Sequence, residues 1–114
     1  MDRHGRQARL AEVGPEGQER IARSEGVVPC EGLAGMVAVR YLAGAGMRRL
    51  RVASEGVARH ARAVDPSVAT ELDPAVVDPG RPSPFALRDA TADSVARGAH
   101  AALAALRHAL GMRP

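Results

Sequence analysis

A short apolar run, Val27-Val28, breaks at Pro29-Cys30-Glu31-Gly32-Leu33-Ala34-Gly35 into a helical pattern, and a second short run, Leu50-Arg51-Val52-Ala53, follows it. Strand, tight turn, helix and strand in that order make a βαβ unit. Such a unit opens nucleotide-binding α/β domains, and its turn is where a phosphate sits. In this chain the turn opposes an anion. A phosphate cradle uses glycines so that backbone N–H groups approach the anion and a helix N-terminus faces it. Pro29 has no N–H to give, and Glu31 places a carboxylate where the anion belongs.

At 114 residues the chain is long enough for one domain with a real core. With one Phe, one Tyr and no Trp, that core has to be built from Ala, Val and Leu, and base-stacking surfaces for single-stranded nucleic acid are not expected. The net charge of +3 would by itself suggest an acidic partner. All 16 basic residues are Arg, however, and they are spread along the chain, so nucleic acid is not the expected partner. The lone Cys30 excludes an intramolecular disulfide and any Cys-x-x-Cys metal site. No 18-residue apolar run and no charged-then-apolar leader is present, which places the expected protein in the cytoplasm, away from membranes.

Along the chain, residues 1–23 read as an N-terminal arm with a short helix from Glu16 to Arg23, and residues 24–114 as the α/β domain. The helix after the turn spans Gly32 to Ala45, with Leu33, Met36, Val37, Val39 and Ala43 as its inner residues and Tyr41 and Leu42 widening that face. The strand from Arg49 to Ala53 alternates Arg with Leu and Val, which suggests one lightly covered sheet face. Ser54 then caps a helix from Glu55 to Val64, with Val57, Ala58, Ala61 and Val64 inward. Val68 to Leu72 is a third strand, and a Pro-rich passage from Asp73 to Pro84 follows, with a brief extended piece at Ala75-Val76-Val77. Phe85-Ala86-Leu87-Arg88 is a candidate fourth strand. The last helix runs from Asp93 to Leu110 with Val95, Ala99, Leu103, Leu106 and Leu110 on one face. His100 and His108 lie on it with no partner at the spacing of a metal site, so they read as solvated helix residues and no metal site is expected.

Taken in order, six blocks resemble the ThiF/MoeB/HesA family of adenylating domains, which are related to ubiquitin-activating enzymes. Arg3-His4-Gly5-Arg6-Gln7 is similar to the family's Arg-Tyr-x-Arg-Gln, and the run from Glu12 to Arg20 to its Gly-x-x-Gly-Gln stretch. Val27 to Ala34 stands where the family has Val-Val-Gly-Ala-Gly-Gly-Leu-Gly. Tyr41 to Met47 resembles Tyr-Leu-Ala-x-Ala-Gly-Val, and Ala61 to Val68 resembles Leu-Arg-x-Leu-Asn-Pro-x-Val. Asp89-Ala90-Thr91-Ala92-Asp93-Ser94 resembles Asp-x-Thr-Asp-Asn/Ser with one extra residue. The resemblance implies a small Rossmann-like, mostly parallel α/β sheet of four strands, order 3-2-1-4, with helices on its faces.

The resemblance also implies roles. Such proteins use ATP and Mg²⁺ to adenylate the C-terminal carboxylate of a ubiquitin-like sulfur carrier or a peptide. Arg6 matches the Arg that reaches the phosphates across a dimer interface, and Asp93, or Asp89, the Mg²⁺-associated Asp. Of the family's turn, Gly32 and Leu33 are kept while Pro29, Glu31 and Ala34 replace glycines, with Cys30 between them. Ser54 stands for the ribose-holding Asp, and its hydroxyl does not accept both ribose hydroxyls as a carboxylate does. Thr91 completes the group. No Lys is available for the phosphates.

From these losses the expected protein is a degenerate, truncated member of that family, a pseudoenzyme acting as a binding or assembly module, and a homodimer through the edge beyond the fourth strand and the last helix. Two alternatives stay open: weak adenine-nucleotide binding at Gly32, Ser54, Thr91 and Asp93, and partner-dependent adenylation of a sulfur carrier. Cys30 reads as a part-buried structural residue, with a reactive thiol as its other reading, since a helix N-terminus lowers a thiol's pKa and Glu31 opposes that.

Overall fold

The computed structural model describes residues 14–76 and 89–111. Gly14 precedes α1 (Pro15–Arg23), where Pro15 gives up an N–H that a first helical turn leaves unbonded in any case. Next come β1 (Glu25–Val28), α2 (Gly32–Gly44), β2 (Arg49–Val52), α3 (Glu55–Val64) and β3 (Ala69–Leu72). A single 3-10 turn (Pro74–Val76) follows, and α4 (Ala90–Ala109) is the last described element.

The three strands are parallel and lie in the order β1-β2-β3, with Val28 opposite Val52 and Val52 opposite Leu72. The fold is therefore α/β, with four helices among the described residues. The candidate fourth strand at Phe85 to Arg88 lies outside them.

Alternation along the strands decides which face is covered. Gly26, Val28, Leu50 and Val52 are buried, while Glu25, Val27, Arg49 and Glu71 on the other face are exposed. The Arg-alternating strand thus has the lightly covered face that its pattern implies. On that face Arg51 is the hub of an ion-pair ladder, 3.1 Å from Glu25, 3.6 Å from Glu71 and 4.0 Å from Asp73. Parallel sheets ordinarily carry apolar side chains on both faces. Here the charged ladder gives half the sheet a polar surface.

The core lies between the sheet and the helices. Val28, Val39, Leu42, Leu50, Val52 and Val57 are fully buried, each worth about 1.5–3 kcal/mol of transfer from water. Ile21 of α1 is 2% exposed and joins this core, and Gln18 donates to the carbonyl of Ala45 at 3.2 Å, so the short helix is held at the end of α2.

Four expectations need correction. On α2 the inward residues are Ala34, Gly35, Ala38, Val39, Leu42 and Ala43, while Leu33 and Tyr41 are exposed. On α4 the buried residues are Gly98 and Ala102, and Val95 and Leu103 are exposed. One cause serves both: α2 and α4 pack through their smallest side chains, which brings the backbones close and turns the larger residues outward. α4 also begins three residues earlier than its apolar pattern, because Asp89 caps it. Finally, Ala75-Val76 is not extended: the Asp73 carboxylate accepts the Ala75 N–H at 3.0 Å and closes the 3-10 turn.

Candidate nucleotide-type turn at the carboxyl edge of the sheet

A parallel sheet puts the carboxyl ends of its strands on one edge, and the loops that leave that edge form the crevice where α/β domains bind ligands. In this chain the edge carries Pro29-Cys30-Glu31 after β1, Ala53-Ser54 after β2 and Asp73 after β3. The Asp73 N–H donates to the Val52 carbonyl at 2.8 Å and carries the pairing one residue past the strands.

The first turn is built tightly. Glu31 is extended, with φ −108° and ψ 179°, and caps α2 without any side-chain hydrogen bond to the helix. Gly32 follows with φ +58°, in the left-handed region that a side chain rarely tolerates. Three residues on, Gly35 makes the helix fit: a Cβ there would lie 2.5 Å from the Cys30 carbonyl oxygen and 2.7 Å from Val57 Cγ2. Gly35 thus does for this unit what the third glycine of a dinucleotide fingerprint does, allowing close helix–strand packing. Its role was not read from the sequence, although a glycine three residues past Gly32 is the signal that could have found it.

The glycine that packs is present, and the glycines that let an anion approach are not. Pro29 lacks its N–H, and Glu31 holds an exposed carboxylate at the end of α2 where a phosphate would meet the helix dipole. Ala34 is buried for a separate reason. Its backbone carbonyl faces Gly98 of α4, so closely that a Cβ on Gly98 would overlap it. Leu33, by contrast, is 40% exposed.

Ser54 and Asp89 are occupied in local structure. Ser54 Oγ accepts the Val57 N–H at 3.4 Å and caps α3. Asp89 Oδ1 accepts the Thr91 N–H at 2.8 Å and the Ala92 N–H at 3.4 Å. Asp93 and Thr91 belong to the first turn of α4, Asp93 half-buried and Thr91 exposed. Two turns further along α4, Gly98 rests on the first turn of α2. Arg6 lies outside the described residues.

Sequence reading also missed Arg97. Burial pushes the Cys30 thiol above its ordinary range, and the Arg97 guanidinium pulls it back part of the way, with the backbone adding a smaller pull in the same direction. Burial therefore outweighs both pulls, and the thiol stays protonated at neutral pH. Half-buried, Cys30 packs against the core as the structural reading expects. Among the described residues, no three His, Cys, Asp or Glu side chains are grouped to hold a metal ion. Nor is any helix there long and apolar enough to cross a membrane.

Comparison with known proteins gives a partial likeness. No family model and no solved structure matches the chain. Over 52 residues, 46% of this chain, it is 46% identical to the sulfur carrier protein adenylyltransferase of Thermus thermophilus. That stretch spans only 19% of the relative's length. The likeness supports the resemblance carried by the ordered motifs: over this stretch the chain is similar to a sulfur carrier protein adenylyltransferase.

Proposed function

We propose that the chain is an adenylyltransferase-type, Rossmann-like α/β domain that no longer adenylates and works as a binding or assembly module. One observation carries this reading: the turn between β1 and α2 keeps the glycine needed for packing and replaces the groups that stabilise phosphoryl charge with Pro29 and Glu31. Phosphoryl and adenylyl transfer depend on preorganised donors and cations aimed at that charge. Ser54 and Asp89 support the same reading, since Ser54 Oγ and Asp89 Oδ1 accept backbone N–H groups as helix caps. In this proposal the domain pairs with a second copy of itself.

Calorimetry with ATP and Mg²⁺ on the purified chain tests it. No binding heat at millimolar nucleotide is the expected result, together with no ATP–pyrophosphate exchange. Micromolar binding, or exchange that Asp93→Ala abolishes, overturns it.

The likeness to a sulfur carrier adenylyltransferase favours a second reading: weak adenine-nucleotide binding, or adenylation of a ubiquitin-like sulfur carrier with residues supplied by a partner chain. Under that reading ATP stabilises the chain against heat, alone or once the native partner has co-purified with it. An unchanged melting temperature in both preparations removes it.

A further inference from the structure

Between α2 and α4 lies an open groove of about 420 Å³, lined among the described residues by Val37, Arg40, Tyr41 and Val95. Leu33, Val37 and Tyr41 recur every four residues and so form one line along α2. Tyr41 is 55% exposed and Val95 42%, so the groove's apolar surface meets solvent. Arg40 is the charged residue of that described lining, and it is exposed. Arg23, Arg51 and Arg62 each pair with a carboxylate, whereas Arg40 makes no ion pair among the described residues. The groove therefore combines apolar walls, a phenol that can donate a hydrogen bond, and a guanidinium that pairs with no carboxylate among the described residues.

We propose that this groove binds a single-tailed anionic amphiphile, a small molecule with an apolar body and a carboxylate or phosphate head. Its volume falls in the range of small-molecule sites, roughly 300–1,000 Å³, which are mostly apolar with a few polar groups that fix orientation. The planar fork of Arg40 matches two oxygens of a carboxylate or phosphate at once. The tail lies along Val37, Val95 and the face of Tyr41, and covers them from water. A cationic amphiphile of the same length meets Arg40 with like charge, and a neutral one leaves the guanidinium unused. This site is separate from the turn at Pro29 and does not depend on whether nucleotide binds there.

The test is amide NMR on the full chain, titrated below micelle-forming concentration with decanoate, decyl phosphate, decanol and decyltrimethylammonium. Saturable shifts at Val37, Arg40, Tyr41 and Val95 with decanoate or decyl phosphate are expected, and the tighter of the two identifies the head group. Decanol should bind about tenfold more weakly or less, since a hydrogen bond to a charged group is lost. Arg40→Gln should remove the preference for the anion while leaving decanol unchanged. Val95→Asp, at an exposed position that tolerates a polar residue, should repel both anions with the fold intact by circular dichroism. The proposal is overturned if neither anion gives saturable shifts in the groove, if decanol binds as tightly as the anions, or if Arg40→Gln changes nothing.

Discussion

Gly98 of α4 rests on the backbone carbonyl of Ala34 in α2, with the Val37 side chain close by. A Cβ at Gly98 would overlap the Ala34 oxygen and lie 2.7 Å from Val37 Cβ, and a backbone carbonyl has no rotamer by which to move away. Gly98→Ala therefore sets a gain in helix propensity of up to about 1 kcal/mol against a steric cost. The clash wins, because overpacking typically costs about 1–3 kcal/mol and here the neighbour is backbone. Urea unfolding of Gly98→Ala should show a net loss of stability, and Gly98→Val a larger one.

Gly56 is the control for that argument. It lies within the first turn of α3, and a Cβ there would meet nothing within 4 Å. Gly56→Ala restricts the unfolded chain without crowding the folded one, and should stabilise by about 0.4–1 kcal/mol. A loss of stability in the same urea measurement would show that the contact geometry does not decide the sign.

The contrast between those two glycines shows what was legible in the sequence. Helix and strand positions follow from periodicity and from punctuation at Pro29, Gly44, Ser54 and Pro66, and among the described residues these elements appear within a few residues of where the pattern puts them. The inner faces of α2 and α4 do not follow from the pattern, because apolar size does not decide burial where helices meet through small residues. When two helices meet through Ala34, Ala38, Gly98 and Ala102, close backbone approach turns Tyr41, Val95 and Leu103 outward. The geometry around Pro29 and Glu31 follows from the residues themselves, since the missing N–H of one and the carboxylate of the other act locally. The role of Arg97 does not, because it is brought toward Cys30 by packing across 67 positions of sequence.

Asp89 separates a structural role from a metal-associated one. Its carboxylate accepts two backbone N–H groups at the start of α4. Asp89→Ala should cost about 1 kcal/mol of stability, in the usual range for a lost N-cap. Asp89→Asn should cost only a few tenths, because Asn caps about as well as Asp. Thermal unfolding of the two variants checks this, and equal losses would mean that the negative charge matters beyond the cap.

The ladder on the open sheet face makes a salt-dependent prediction. Arg51 stands among Glu25, Glu71 and Asp73, with 37% of its side chain exposed. Arg51→Gln keeps most of the packing and leaves three neighbouring carboxylates without their cation. The loss should be about 1 kcal/mol at low ionic strength, near the upper end for exposed pairs, and should shrink as salt shortens the screening length. Denaturation at two salt concentrations measures it; an effect independent of salt would assign the loss to packing.

Cys30 carries a prediction in pH. Its thiol is raised by burial, chiefly because the thiolate is costly to hold away from water. Below the unfolded thiol's pKa both states are protonated, and the residue leaves stability independent of pH. Between that value and the raised folded pKa, the unfolded chain loses its proton while the folded chain keeps it, so stability falls as pH rises through this window. The same shift slows alkylation, since only the thiolate attacks. Iodoacetamide should modify Cys30 in the folded chain more slowly at pH 8 than in urea. Arg97→Gln removes the one side-chain charge that lowers the thiol and should slow the reaction further. Faster alkylation in that variant would mean that Arg97 shields Cys30 sterically, and that its charge is not what the thiol feels.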